Sequence, residues 1–114
     1  MNTPADLKAK VALLAQGFRT RLPARFEQMD AAYALCRSDM AERAHWQELY
    51  RLLHSLGGAA GTFGAAGLGL AARRIEDKIK TQLAENDWTI ENLNDIGADM
   101  AALQRMALSV PAPQ

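Results

Sequence analysis

The sequence predicts an all-α fold, an antiparallel up-down bundle of four helices. Apolar residues recur at steps of three and four residues through four long segments, which is the helical period. The segments between them are short and carry glycine, asparagine and aspartate, the residues of turns. Only 6% of the 114 residues are aromatic, and alanine is abundant. This composition favours closely packed helices over sheet.

The first helix begins with a complete start signal, Thr3-Pro4-Ala5-Asp6: a capping threonine, proline at the first helical position and an acid in the first turn. Pro23 lies inside the helical pattern and removes one backbone hydrogen bond. The apolar positions keep their phase across it, which favours one long bent helix over about residues 4–37; two helices meeting at Leu22 remain the alternative. Those positions are Leu7, Val11, Leu14, Phe18, Leu22, Phe26, Met29, Tyr33 and Cys36.

Three shorter helices follow. Asp39 and Glu42 have the spacing of a capping box for the second helix, which is expected to end near Gly64. The third helix presents an inner face of Leu68, Ala71, Ala72, Ile75, Ile79 and Leu83. Its outer face, expected to be in solvent, holds Arg73, Arg74, Glu76, Asp77, Lys78 and Lys80. The fourth helix, about residues 89–109, carries Leu93, Ile96, Met100, Leu103, Ala107 and Val110.

The predicted core draws on all four helices: Leu14, Phe26, Leu49, Leu56, Phe63, Ile75, Leu93 and Met100. Both tryptophans, Trp46 and Trp88, and the cysteine Cys36 are also expected there. Residues 1–110 are predicted to form one bundle, and residues 111–114 a Pro/Ala-rich tail or the start of a linker. Whether the bundle is freestanding or the N-terminal domain of a longer protein stays open.

Composition excludes several classes of function. Thirteen basic and thirteen acidic side chains cancel, so no overall field favours nucleic acid or an anionic membrane. No apolar run approaches the length of a membrane span, and no signal peptide opens the chain. A single cysteine excludes an internal disulfide and fits a reducing compartment. We therefore expect a cytoplasmic protein, monomeric, without a cofactor.

One face of the second helix carries the candidate chemistry. The positions Leu49, Leu53 and Leu56 lie on its apolar stripe, and His54 points about 140° away from the centre of that stripe, toward solvent. Small or polar residues surround the histidine on the helical wheel: Tyr50, Arg51, Gly57, Gly58, Gly61 and Ala65. Each glycine inside a helix costs about 1 kcal/mol relative to alanine. Three glycines there indicate that another surface must approach closely.

The run His54-x-Leu56-x-Gly58, with Gly64 ten residues after the histidine, resembles the histidine-containing phosphotransfer (HPt) domain, whose pattern is His-x-x-Lys-Gly-x-x-x-x-x-Gly inside a helical bundle. The resemblance spans nearly the whole chain. The chain departs from the pattern at Gly57, where the family usually has lysine. Arg51, one turn before the histidine, is either a replacement counter-charge for a phosphoryl group or an ordinary solvated arginine.

The resemblance implies a phosphoryl carrier of bacterial-type signalling rather than an enzyme. An imidazole is a good nucleophile at neutral pH, and the outermost ring nitrogen of His54, Nε2, is the expected acceptor. A water or a polar residue of the first helix such as Gln28 would hold the other nitrogen. The implied partners are a response-regulator receiver domain, which would bring Mg²⁺ and the aspartates, and an upstream sensor or hybrid histidine kinase. The receiver would dock on the glycine face.

Two other classes of protein share part of this pattern. Glu42-x-x-His45 has the spacing of di-iron bundles, but such sites need a second copy of this motif and two further glutamates. A second Glu-x-x-His is absent, because Arg51 stands three residues before His54. The stronger alternative is a helical interaction module without phosphate chemistry. Phosphorylation of His54 distinguishes the two.

Overall fold

The computed structural model describes residues 3–109, and four helices account for most of them. They are α1 (Pro4–Ser38), α2 (Arg43–Thr62), α3 (Ala66–Glu85) and α4 (Ile90–Leu108). The predicted all-α class and four-helix architecture are confirmed. Val110 and the predicted tail, residues 111–114, lie outside the described residues. None of the described helices is both long enough and apolar enough to span a membrane.

Helix α1 is a single helix that continues through Pro23. Its start is capped as predicted, because Thr3 and Asp6 exchange the two hydrogen bonds of a capping box. The predicted box between Asp39 and Glu42 is wrong. Asp39 is the C-cap of α1, and Glu42 is itself the N-cap of α2, its carboxylate accepting from the Ala44 N–H. Helix α2 therefore begins three residues later than that capping box would place it.

The helices pack in an up-down order. Each helix contacts its neighbours in sequence, α4 closes against α1, and the diagonal pairs make no close contact within residues 3–109. The Lys78 ammonium ties α3 to α4 by bonding Asp95 at 2.8 Å and Asp99 at 2.5 Å. The tyrosine hydroxyl of Tyr33 donates to the Leu93 carbonyl at 2.7 Å and ties α1 to α4. Hydrogen bonds and ion pairs thus link the helices around an apolar core.

The core contains most of the predicted residues. Phe26, Leu49, Leu56, Ile75, Leu93 and Met100 are buried, as are Trp46 and Cys36. Phe63 and Trp88 are partly buried and pack against this core. Trp88 stacks on Trp46 with ring centroids 6.4 Å apart. Burial raises the pKa of the Cys36 thiol to about 12.

Leu14 was predicted in the core and is 54% exposed, so that prediction is wrong. The physical reason is length. Helix α1 has 35 residues, whereas the other three have 19 or 20. Phe18 is the first residue of α1 to be buried, and its ring lies 6.0 Å from that of Phe63 just beyond the end of α2. Residues 4–17, which we call the overhang, therefore extend past the bundle.

Helices α2 and α3 cross closely because glycines meet at the crossing. A Cβ atom built on Gly69 would lie 3.1 Å from the carbonyl oxygen of Gly57 and 3.4 Å from the Gly61 nitrogen, both backbone atoms of α2. On the other side, a Cβ on Gly57 would lie 3.6 Å from the Gly69 carbonyl oxygen. Gly64, with φ of +86°, turns the chain between the two helices. This close approach brings side chains of α3 next to the exposed face of α2.

Candidate functional site

His54 stands on the exposed side of α2 with its side chain 74% accessible. The leucine stripe that includes Leu49, Leu53 and Leu56 is fully buried, so the helical phase that turns His54 outward is the one expected from the sequence. The ring of Tyr50, one turn earlier, lies nearly parallel to the imidazole, with centroids 6.1 Å apart and 9° between the planes. The imidazole is therefore held in a defined direction on an open surface.

A carboxylate from α3 fixes the imidazole. The Glu76 Oε1 atom lies 2.7 Å from the Nδ1 atom of His54. A carboxylate accepts hydrogen bonds and cannot donate one when ionised, so the proton belongs on Nδ1 and the Nε2 lone pair is free. The Glu76 side chain is only 8% exposed. Glu76 was expected on the solvated outer face of α3, and that expectation is wrong.

Gln28, suggested as the residue that orients His54, does not do so. It is exposed on α1, and Glu76 of α3 occupies the position beside Nδ1. The contact of α1 near the site is made instead by Arg25, whose guanidinium donates to the Ser55 hydroxyl at 3.2 Å. The sequence did contain a signal for Glu76, because the residue follows Gly69 and Ala72 along the side of α3 that is lined with small residues.

The glycines around His54 divide into two kinds. A Cβ atom on Gly58 or Gly61 would meet nothing within 4 Å, so both lie in an open surface as expected. Gly57 is buried, with the Ala72 and Arg73 side chains of α3 against it. Ala65 is also buried, at 8% exposure. The expectation that Gly57 and Ala65 belong to the exposed face is wrong, because α3 covers Gly57, and Ala65, the N-cap of α3, belongs to the core.

Arg51 already has a partner on its own helix. Its guanidinium makes a two-point ion pair with the Glu48 carboxylate, at 2.6 and 2.9 Å. The hydrogen bonds of this pair lower the pKa of Glu48 and raise that of Arg51. Both side chains are about half exposed or more, so the pair is weak and can exchange. A counter-charge role for Arg51 remains a prediction.

No group of three histidine, cysteine or acidic side chains lies close enough to hold a metal ion within the described range. His45 is partly buried, near the start of α2. It lies more than two helical turns before His54, so the two imidazoles do not belong to one site. The site is thus one exposed imidazole with a buried carboxylate behind it and open glycine backbone beside it.

A helical bundle with an exposed, carboxylate-oriented histidine has the arrangement of a phosphoryl carrier. A family model described as Hpt domain matches residues 13–106, and the chain belongs to this family. Members of the family act in phosphotransfer within two-component phosphorelays and are phosphocarriers rather than enzymes in the usual sense. Comparison with curated proteins and with solved structures gave no match.

Proposed function

We propose that His54 accepts a phosphoryl group on Nε2 and exchanges it with the aspartate of a receiver domain. The observation that carries this proposal is the pairing of Nδ1 with buried Glu76 while Nε2 stays open to solvent. An exposed histidine without a function has no need of a buried carboxylate behind it. Such a carboxylate is costly to desolvate unless it is hydrogen bonded.

The transfer balances without a proton moving at His54. The Nε2 lone pair attacks the phosphorus of an aspartyl phosphate, the bond from phosphorus to the aspartate oxygen breaks, and the carboxylate leaves. The product ring carries phosphorus on Nε2 and hydrogen on Nδ1, so it has become cationic. The Glu76 carboxylate lies against that Nδ1–H, 2.7 Å away, and stabilises the charge as it develops. The reverse transfer uses the same contacts.

The remaining groups come from the partner. The described residues contain no acidic cluster for Mg²⁺, which a receiver domain would bring with its phosphorylated aspartate. Tyr50, Gly58 and Gly61 form the surface next to His54 on which a receiver would dock. The two glycines have no side chains to hold it away. A sensor or hybrid histidine kinase would act upstream.

Transfer of label from a receiver domain tests the proposal. A receiver phosphorylated with radiolabelled acetyl phosphate is mixed with the chain, and label on the chain is measured. We expect acid-labile label on the wild type and on His45→Gln, and none on His54→Gln. Far-ultraviolet circular dichroism shows whether each variant is folded. Label on folded His54→Gln would refute the assignment, and failure of several receivers to label the wild type would favour an interaction module.

The role of Glu76 in positioning His54 can be measured from the tautomer of the imidazole. In Glu76→Gln the amide oxygen can still accept from Nδ1, whereas Glu76→Ala removes the acceptor. We expect the nitrogen-15 spectrum of His54 to show mainly the Nδ1–H tautomer in the wild type and in Glu76→Gln, and a mixture in Glu76→Ala. The labelling rate should fall about tenfold or more in Glu76→Ala. An unchanged tautomer in Glu76→Ala would contradict the role.

The docking face is tested by adding a side chain to it. Gly58→Glu should abolish transfer from a receiver, through steric conflict and repulsion of the phosphoryl charge. Labelling by phosphoramidate, a small donor that needs no docking surface, should persist. Gly67→Glu is the matched control, because Gly67 is equally open but lies at the start of α3. Normal receiver transfer to folded Gly58→Glu would place the docking surface elsewhere.

A further inference from the structure

The overhang, residues 4–17, presents an apolar surface that no described part of the chain covers. Leu7 is 51% exposed, Val11 58%, Leu13 68% and Leu14 54%. Leu7, Val11 and Leu14 continue the phase of Phe18, Leu22 and Phe26, which are buried in the bundle. The stripe that forms the core thus runs on for about three turns after the core has ended.

A single copy of the chain gives this segment little reason to be helical. An isolated helix of about 14 residues is marginal in water, and most helices in proteins are stabilised by packing of their apolar face. The three side chains of the stripe, Leu7, Val11 and Leu14, leave on the order of 300 Å² of apolar surface in water, which is comparable to the largest patch on many monomers. A covering surface would stabilise both the helix and its stripe.

We propose that the overhang pairs with the overhang of a second copy of this chain, in antiparallel orientation. The order of the stripe is the first reason. The stripe is nearly symmetric about Val11. A leucine lies four residues before it, at Leu7, and another lies three residues after it, at Leu14. Antiparallel pairing places Leu7 against Leu14 of the second copy and Val11 against its own equivalent at the two-fold axis, which is a self-complementary interface.

The direction of the stripe excludes parallel pairing of the two overhangs. The apolar face of the overhang is in phase with the core stripe of α1, so it faces the line along which the axis of the bundle would continue. A second copy placed there in parallel would put its bundle into the volume of the first. An antiparallel copy brings its bundle in from the opposite end, and the two bundles lie end to end with their overhangs interleaved.

The area also fits a second copy. Two stripes together remove on the order of 600 Å² of apolar surface before any polar flank is counted, which is about half of the lower end of the 1,200–2,000 Å² that stable interfaces bury in total. Leu108, which is 85% exposed, adds to it, because it lies beside Arg19 and Leu22 where the overhang leaves the bundle. The proposed dimer differs from the monomer expected from the sequence.

Sedimentation velocity of the full chain over a range of concentrations tests the proposal. We expect a species of twice the chain's 12.4 kDa that dissociates on dilution. Val11→Glu should weaken the association at least tenfold, because two carboxylates would meet at the two-fold axis. Leu35→Glu, which also places a glutamate at a half-exposed aliphatic position of α1, should not. A wild type that stays monomeric, or an equal effect of both variants, would overturn the proposal.

Disulfide trapping tests the orientation. The native Cys36 is fully buried, so an added cysteine reports alone. Val11→Cys should form a covalent dimer rapidly on oxidation, because its equivalents face each other across the axis. Leu7→Cys should do so much more slowly, because its equivalents lie about eight residues, or about 12 Å, apart along the helices. Equal rates for the two variants would contradict antiparallel pairing. Both tests are independent of phosphotransfer.

Discussion

Substitution by alanine at Gly57, Gly58 and Gly69 should change the free energy of unfolding in different directions. The reason is the packing at the crossing of α2 and α3. Alanine is the better helix former by about 1 kcal/mol. On Gly58 a Cβ atom meets nothing within 4 Å, so Gly58→Ala should gain most of that amount. On Gly57 the nearest atoms would be 3.6–3.7 Å away, an ordinary contact, so Gly57→Ala should be neutral or slightly stabilising.

Gly69→Ala should be the destabilising member of the series. The new Cβ would lie 3.1 Å from the Gly57 carbonyl oxygen, which belongs to a packed helix and cannot move alone. Helix α3 must then shift outward by a few tenths of an ångström, and overpacking of this kind costs about 1–3 kcal/mol. After the gain in helix propensity the net loss is about 0–2 kcal/mol, so Gly58→Ala and Gly69→Ala should differ by roughly 1–3 kcal/mol.

Urea unfolding followed by circular dichroism measures these differences, with the transition slopes compared to confirm that all variants unfold in the same way. The shift in Gly69→Ala should also weaken the contact between His54 and Glu76, which bridges the same two helices. The nitrogen-15 spectrum of His54 would report that change without reference to stability. If Gly69→Ala stabilised the fold as much as Gly58→Ala, the close crossing would be wrong.

Three further substitutions test the packing of the core and the hydrogen bond between α1 and α4. Leu56→Ala should cost about 2–5 kcal/mol of unfolding free energy, because the side chain is fully buried; a loss below about 0.5 kcal/mol would contradict the register of α2. Gly97→Ala should destabilise the bundle and break the Tyr33 hydrogen bond, since the new Cβ would collide with the Tyr33 hydroxyl; a tyrosine spectrum identical to that of the wild type would refute it. Cys36 has its pKa raised to about 12, so the folded thiol keeps its proton while the unfolded one loses it above about pH 9. The contribution of Cys36 to stability should therefore be constant below that pH and fall by about 1.4 kcal/mol per pH unit up to pH 12, and this part of the slope should vanish in Cys36→Ala; equal slopes in both proteins would count against it.

The leucine stripe of α2 made the central features predictable from sequence. A stripe at steps of three and four residues fixes the helical phase, and the phase alone turns His54 outward and leaves Gly58 and Gly61 bare. Periodicity cannot show which edge of that face a neighbouring helix covers. Gly57 and Gly58 are adjacent and equally small, yet one is buried and the other open, because α3 approaches from one side only.

Leu14 and Glu76 show two other limits of a pattern within one helix. Leu14 lies in phase with the core, but phase gives direction and not length, and the other helices end before they reach it. The unequal lengths of the predicted helices contained this information. Glu76 looks like one of several charges on a solvated face. Its burial depends on the glycines of the crossing, which bring α2 near enough for His54 to bond the carboxylate.

Gly57, where the chain departs from the family pattern, lies at the same crossing. A Cβ at position 57 would make ordinary contacts of 3.6–3.7 Å with the Gly69 carbonyl oxygen and the Ala72 and Arg73 side chains. A longer side chain there would leave the crossing alongside Arg73. The crossing also brings Glu76 to the inner nitrogen of the imidazole. A lysine and a carboxylate would act on opposite charges of a phosphorylated histidine, the first on the phosphoryl oxygens and the second on the ring. In the proposed transfer, this chain would itself supply the group that supports the charge on its histidine, and the charge on the phosphoryl oxygens would fall to Arg51 or to the partner's Mg²⁺.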